Sequence, residues 1–88
     1  MKRFTKLNNN LTYVVEEKDL PFAIQTLAQF ENMAESLLKE QITIELEMKK
    51  LKDENKTSSV KFRELFSKKL TNASMLFLLE KHNINLKK

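Results

Sequence analysis

The sequence predicts a mainly α protein: a long antiparallel helical hairpin with a short N-terminal β-hairpin or strand, oligomerising through the long helix. Three observations predict it. Glycine is absent and proline occurs once in 88 residues. Turns that need a positive φ therefore fall to asparagine or aspartate, which disfavours many-turned β folds, and long helices go unbroken. Strong helix formers (Leu, Lys, Glu, Gln and Met) dominate from residue 20 onward. One polar stretch, Asp53 to Ser59 (DENKTSS), divides that helical sequence in two.

Taken in order, residues 1–18 form a β arm and residues 19–88 a helical hairpin, within a single domain. In RFTKLNNNLTYVVEE, Leu11, Tyr13 and Val15 alternate with Thr12, Val14 and Glu16. That alternation reads as a strand, the second arm of a hairpin turning at Asn8–Asn10. A lone hairpin is marginal in water and needs a helix or a second sheet edge to lie on. Asp19 is placed to cap the first helix, with Pro21 in the first turn, where a missing N–H does no harm. This helix is expected over about 20–53. Steps of three and four residues pick out Leu20, Ala23, Leu27, Phe30, Ala34, Leu37, Gln41, Ile44, Met48 and Leu51. Nine of these ten are apolar, where the composition alone would give about four. That is a heptad seam of the kind that packs helix on helix. A second apolar group, Ile24, Met33, Leu38, Ile42 and Leu46, lies beside it. A stripe so broad predicts burial on more than one side.

The second helix is expected from about Val60 to His82, with Phe62, Leu65, Phe66, Leu70, Ala73, Leu76, Phe77 and Leu79 as its apolar positions. Thr71 and Asn72 mark a weak point, since both side chains compete for nearby backbone groups. Asn83 suits a left-handed residue past the helix end, with Ile84 reaching back to Leu79. The first helix should be roughly 50 Å long and the second about 35 Å, at about 1.5 Å per residue. Part of the first helix is thus left without cover from the second.

Charge is uneven. Residues 1–19 carry a net +1, residues 20–55 a net −3 and residues 56–88 a net +6, within an overall +4. Opposite charge on neighbouring helices gives this asymmetry a structural use.

The residue inventory argues against enzyme classes. Without cysteine there is no thiolate nucleophile, thiolate metal site or disulfide. Without glycine there is no backbone cradle for phosphate. Ser67 and Ser74 share one rod with the single histidine, His82, eight residues past Ser74 and beyond hydrogen-bond reach. Glu31, Glu35, Glu45 and Asp53 have no His or Cys to join them and read as a solvated acidic face. No catalytic residue, cofactor or metal site is assigned, and the chain reads as non-enzymatic.

Binding remains. Leu27, Phe30, Leu37, Ile44, Met48 and Leu51 are the expected protein interface. Through it the chain would form a homodimer and engage another protein, with Gln41 setting register at some cost in stability. On that reading Ile44→Asp dissolves the dimer. The alternative is a small nucleic-acid-binding regulator using Lys61, Arg63, Lys68 and Lys69, a basic surface continued by Lys81, Lys87 and Lys88. Against it, only two of the sixteen basic residues are arginine, the better reader of guanine and phosphate. The longest apolar run, Met75 to Leu79, is too short to cross a bilayer, so a cytoplasmic, membrane-free protein is expected.

The stretches DLPFAIQTLAQFENM and LKDENKTSSVKFRELFSKKLTNASMLFLLEKHNI resemble small uncharacterised proteins encoded in prophages and mobile elements of low-GC Gram-positive bacteria. The resemblance contains no chemical motif. It implies a phage or mobile-element setting, and with it an accessory or inhibitory role.

Overall fold

The N-terminal arm is an antiparallel hairpin. In the computed structural model, which describes residues 1–86, strand β1 (Thr5–Leu7) pairs with β2 (Tyr13–Val15) in the register Thr5–Val15, Lys6–Val14 and Leu7–Tyr13. The loop between them is organised by one asparagine. The Asn8 carboxamide oxygen accepts from the Asn10 N–H, the Thr12 N–H and the Thr12 hydroxyl, each at 3.0 Å. The Leu11 N–H closes the turn onto the Asn8 carbonyl at 3.1 Å. Leu11 is left-handed, with φ 60. It therefore belongs to the turn and not, as the alternation suggested, to the strand. A three-residue loop ending in a left-handed residue is a common hairpin closure. Side chains add to the pairing: Lys6 and Lys18 pair with Glu16, and Arg3 lies over the Tyr13 ring at 5.5 Å.

The first helix starts differently from expectation. The backbone is last extended at Glu16 (φ −64, ψ 141), and a 3-10 turn over Glu17–Asp19 runs straight into helix α1, Leu20–Asp53. Asp19 is therefore not the cap. It sits inside the turn, with its carboxylate 3.8 Å from the Lys2 ammonium. Pro21 occupies the first turn of α1, where no backbone donor is missed.

Helix α1 ends on an asparagine. Asn55 takes φ 59, its N–H donates to the Lys52 carbonyl at 3.0 Å, and the Lys56 N–H donates to the Leu51 carbonyl at 2.8 Å. This is the Schellman closure, with asparagine in the place usually held by glycine. Four residues after Asn55, Ser59 caps helix α2, Val60–Lys81, its hydroxyl accepting from the Phe62 N–H at 3.1 Å. Helix α2 closes the same way as α1. Asn83 has φ 63, and the Asn83 and Ile84 N–H groups reach the Glu80 and Leu79 carbonyls, both at 2.9 Å. No break occurs at Thr71–Asn72, because both side chains find other partners. Thr71 donates to the Ser67 carbonyl at 3.1 Å, and Asn72 donates out of the helix to Glu40. Lys87 and Lys88, counted in the basic surface, lie outside the described residues.

The chain divides into two units at a point within α1, one covering Met1–Met33 and the other beginning at Ala34. In the second unit, α1 and α2 pack antiparallel. Ile44, Met48 and Leu65 form the core, with Leu51 and Phe62 against it, and Ala34 and Leu37 are also buried. Each buried Leu, Ile or Met contributes about 1.5–3 kcal/mol. So few of them make a thin core for a chain of this length.

Candidate functional site

The expected interface residues separate into two groups. Leu37, Ile44 and Met48 are buried within the protomer, Ile44 to 3% exposure, and Leu51 packs beside them. Their seam is filled by α2. Ile44→Asp would therefore place a carboxylate in the hairpin core and open the hairpin itself, so this variant does not separate a dimer contact from the core. Leu27 is 57% exposed and Phe30 is half-buried. Around these two, Leu20, Phe22, Ile24 and Met33 are exposed as well. From Leu20 to Met33 the only charged residue is Glu31. A helical segment that exposes so much apolar surface with a single charge has the composition of an interface core.

The polar seam residue also faces inward. The Gln41 side-chain N–H donates to the Lys69 carbonyl at 3.4 Å, while its amide oxygen is buried without a partner. Gln41 thus sets register between α1 and α2 of one chain.

The four basic residues expected to contact nucleic acid divide evenly. Lys68 lies 3.5 Å from Glu40, and Lys69 lies 3.8 Å from Glu45. Lys61 and Arg63 are exposed, with no ion pair among the described residues. Half of the expected nucleic-acid surface is therefore engaged by the acidic helix it was expected to complement. Glu40 is the centre of this polar edge. The buried Asn72 donates to it at 2.9 Å, and that hydrogen bond, helped by Lys68, holds the Glu40 carboxyl below its ordinary value. The Glu40–Asn72 pair went unseen in the sequence because its partners are 32 positions apart.

A second surface escaped the sequence reading. Phe66, Leu70, Ala73 and Phe77 are all exposed, Phe77 to 66%. Their spacing of four, three and four residues draws one stripe along α2. All four stand among the expected apolar positions of the second helix, undivided from Leu65 and Leu76. The available signal was that α2 carries two apolar stripes one residue apart, where a single partner helix fills only one.

Among the described residues, no helix is long and apolar enough to cross a membrane. No protein-family model, curated protein or solved structure matches the chain.

Proposed function

We propose that the chain is a non-enzymatic protein–protein interaction module that self-associates through α1 and binds another protein, as an accessory or inhibitory factor of a phage or mobile element would. The observation that carries the reading is the Leu20–Met33 segment, which exposes Leu20, Phe22, Ile24, Leu27 and Met33 and bears one charge. Burying a few such side chains at about 1.5–3 kcal/mol each is enough to drive association. The diagnostic variant is Leu27→Asp, because Leu27 is exposed and the hairpin core does not depend on it. Sedimentation equilibrium of the wild type should give a dimer at micromolar concentration, and Leu27→Asp should give a monomer with unchanged far-UV circular dichroism. A wild type that stays monomeric at high micromolar concentration rules the reading out.

The nucleic-acid reading draws support from Lys61 and Arg63, which are exposed and carry no ion pair among the described residues. It requires retardation of DNA or RNA in a low-salt gel-shift assay, weakening steeply as salt rises. With Lys68 and Lys69 already paired to α1, protein binding is the better supported of the two.

A further inference from the structure

The unit that begins at Ala34 leaves one of its own faces bare. On α1, Ala34, Gln41, Ile44 and Met48 are buried or bonded to α2, and on α2, Leu65, Lys69 and Asn72 are buried or bonded to α1. One residue further along, about 100° round each helix, stand Glu35, Ile42, Glu45 and Lys49 on α1 and Phe66, Leu70 and Ala73 on α2, all exposed. Phe77, also exposed, extends the second row by four residues. Because the helices run antiparallel, the same offset turns both rows to one broad face of the hairpin. The Glu45–Lys69 ion pair spans this face at 3.8 Å, and the Glu40–Lys68 pair spans the opposite one.

A spacing of seven runs along the face on both helices. Glu35, Ile42 and Lys49 follow it on α1, and Arg63, Leu70 and Phe77 follow it on α2. Gln41 bonds across to Lys69, and Glu40 to Asn72. Those bonds set Ile42 level with Leu70. We propose that this face docks on the same face of a second copy, the two hairpins stacking into a four-helix bundle. The two-fold axis crosses the helices at the level of Ile42 and Leu70. This contact lies wholly within residues 34–86 and is additional to the association proposed for Leu20–Met33.

An axis in that place sets Ile42 against Ile42 and Leu70 against Leu70 of the second copy. Seven residues out, it sets Glu35 against Lys49 and the Arg63 guanidinium against the Phe77 ring, and the symmetry makes each contact twice. No like charges meet along these rows. The other axis that stacks the two faces runs along the helices and lays each α1 on the α2 of the second copy at the same level. Lys49 then meets Arg63, and the Glu35 carboxylate meets the Phe77 ring face, which carries negative charge density. Charge therefore selects the crossing axis. Ile42, Phe66, Leu70 and Phe77 are each about half or more exposed, and side chains of this size present roughly 450 Å² per copy. Two copies bury about 900 Å² of apolar surface before the charged rim is counted, which places the contact among weak interfaces, below about 1,200 Å². The second apolar stripe of α2, which its own chain leaves bare, is accounted for as half of this contact.

The test uses the full-length Leu27→Asp chain, which lacks the contact proposed for Leu20–Met33, so that the two readings fail separately. At about 500 μM, sedimentation should show this chain dimerising. A monomer at that concentration overturns the inference and leaves association through Leu20–Met33 standing. Adding Lys49→Glu should weaken the dimer at least about threefold, and adding Glu35→Lys as well should restore it. The two positions lie about 21 Å apart along one helix, so restoration comes only from contact between copies, and its absence would overturn the pairing. The chain has no cysteine, so introduced thiols report the axis without background. Ile42→Cys and Leu70→Cys chains are mixed and oxidised gently. The 42–42 and 70–70 disulfides should form at least about tenfold faster than the dimer of a Lys61→Cys control, whose thiol lies on the far side of α2. A predominant 42–70 product would overturn the crossing axis, and rates equal to the control would remove this face from the contact.

Discussion

Leu11 shows what a chain without glycine gives up at its turns. At φ 60 it occupies a region that costs a side chain with a Cβ about 1–2 kcal/mol, and at 80% exposure no packing offsets that cost. Asparagine tolerates the conformation better, and it already fills it at positions 55 and 83. Leu11→Asn should therefore stabilise the hairpin by about 0.5–1 kcal/mol, seen as a raised urea midpoint for a probe on Tyr13. Glu40 makes the second prediction at this scale. Its carboxyl is held below the ordinary value of 4.5, first by the Asn72 hydrogen bond and then by Lys68. A depressed folded value means stability that is present above the unfolded value and is lost as pH falls through the folded one. Wild type should therefore exceed Glu40→Gln in stability at pH 6, and the difference should close below about pH 4.5. Urea midpoints across pH 3–6 check this; a difference independent of pH would assign the stabilisation to something other than the carboxylate.

At the scale of the element, both helices are closed by the same device and opened by different ones. Asn55 and Asn83 each end a helix in the left-handed region, and in each case the next two N–H groups of the closure find the last-turn carbonyls. Asn83 was readable because Ile84 follows it at the spacing of the hydrophobic contact to Leu79. Asn55 was not, because it lies in a run of loop-forming residues where any of several could take the role. Ser59 caps α2 through the Phe62 N–H, so Ser59→Ala should cost about 1 kcal/mol, measured as a lowered thermal midpoint. The start of α1 has no equivalent. The 3-10 turn at Glu17–Asp19 carries the chain from Glu16 into the helix, and Asp19 is drawn towards Lys2, a residue seventeen positions earlier that no local pattern connects to it.

For the whole molecule, the informative contrast is between two isoleucines two residues apart. Ile44 is 3% exposed in the hairpin core and Ile42 is 62% exposed on its outer face. Ile44→Ala should lower monomer stability by about 2–5 kcal/mol, the cost of a core truncation. Ile42→Ala should change it by no more than about 0.5 kcal/mol and act on association instead. Chemical denaturation at low protein concentration, paired with sedimentation at high concentration, separates the two effects. The ion pairs Glu40–Lys68 and Glu45–Lys69 lie at the edges of the helix pair, with exposed ammonium groups, and surface pairs of this kind contribute little. Stability in the second unit rests on the apolar seam, and charge complementarity between the helices works chiefly as a guide to which faces meet.

Local chemistry alone determined the elements: no glycine and one proline, the heptad spacing from Leu20 to Leu51, the polar break at Asp53–Ser59 and the Asn8–Asn10 turn are all short-range patterns, and short-range patterns govern where helices and turns begin and end. Only the tertiary structure decided how the apolar positions are spent. Sequence periodicity marks which residues lie on a stripe but not which neighbour fills it. Ile44 and Met48 pack on Leu65 of α2 within the protomer, while Leu27, Ile42, Phe66, Leu70 and Phe77 are exposed on it. The physical reason is that α2 has one face to pack and covers one stripe of α1, so the assignment of every other apolar residue depends on the position of a separate helix beyond the loop.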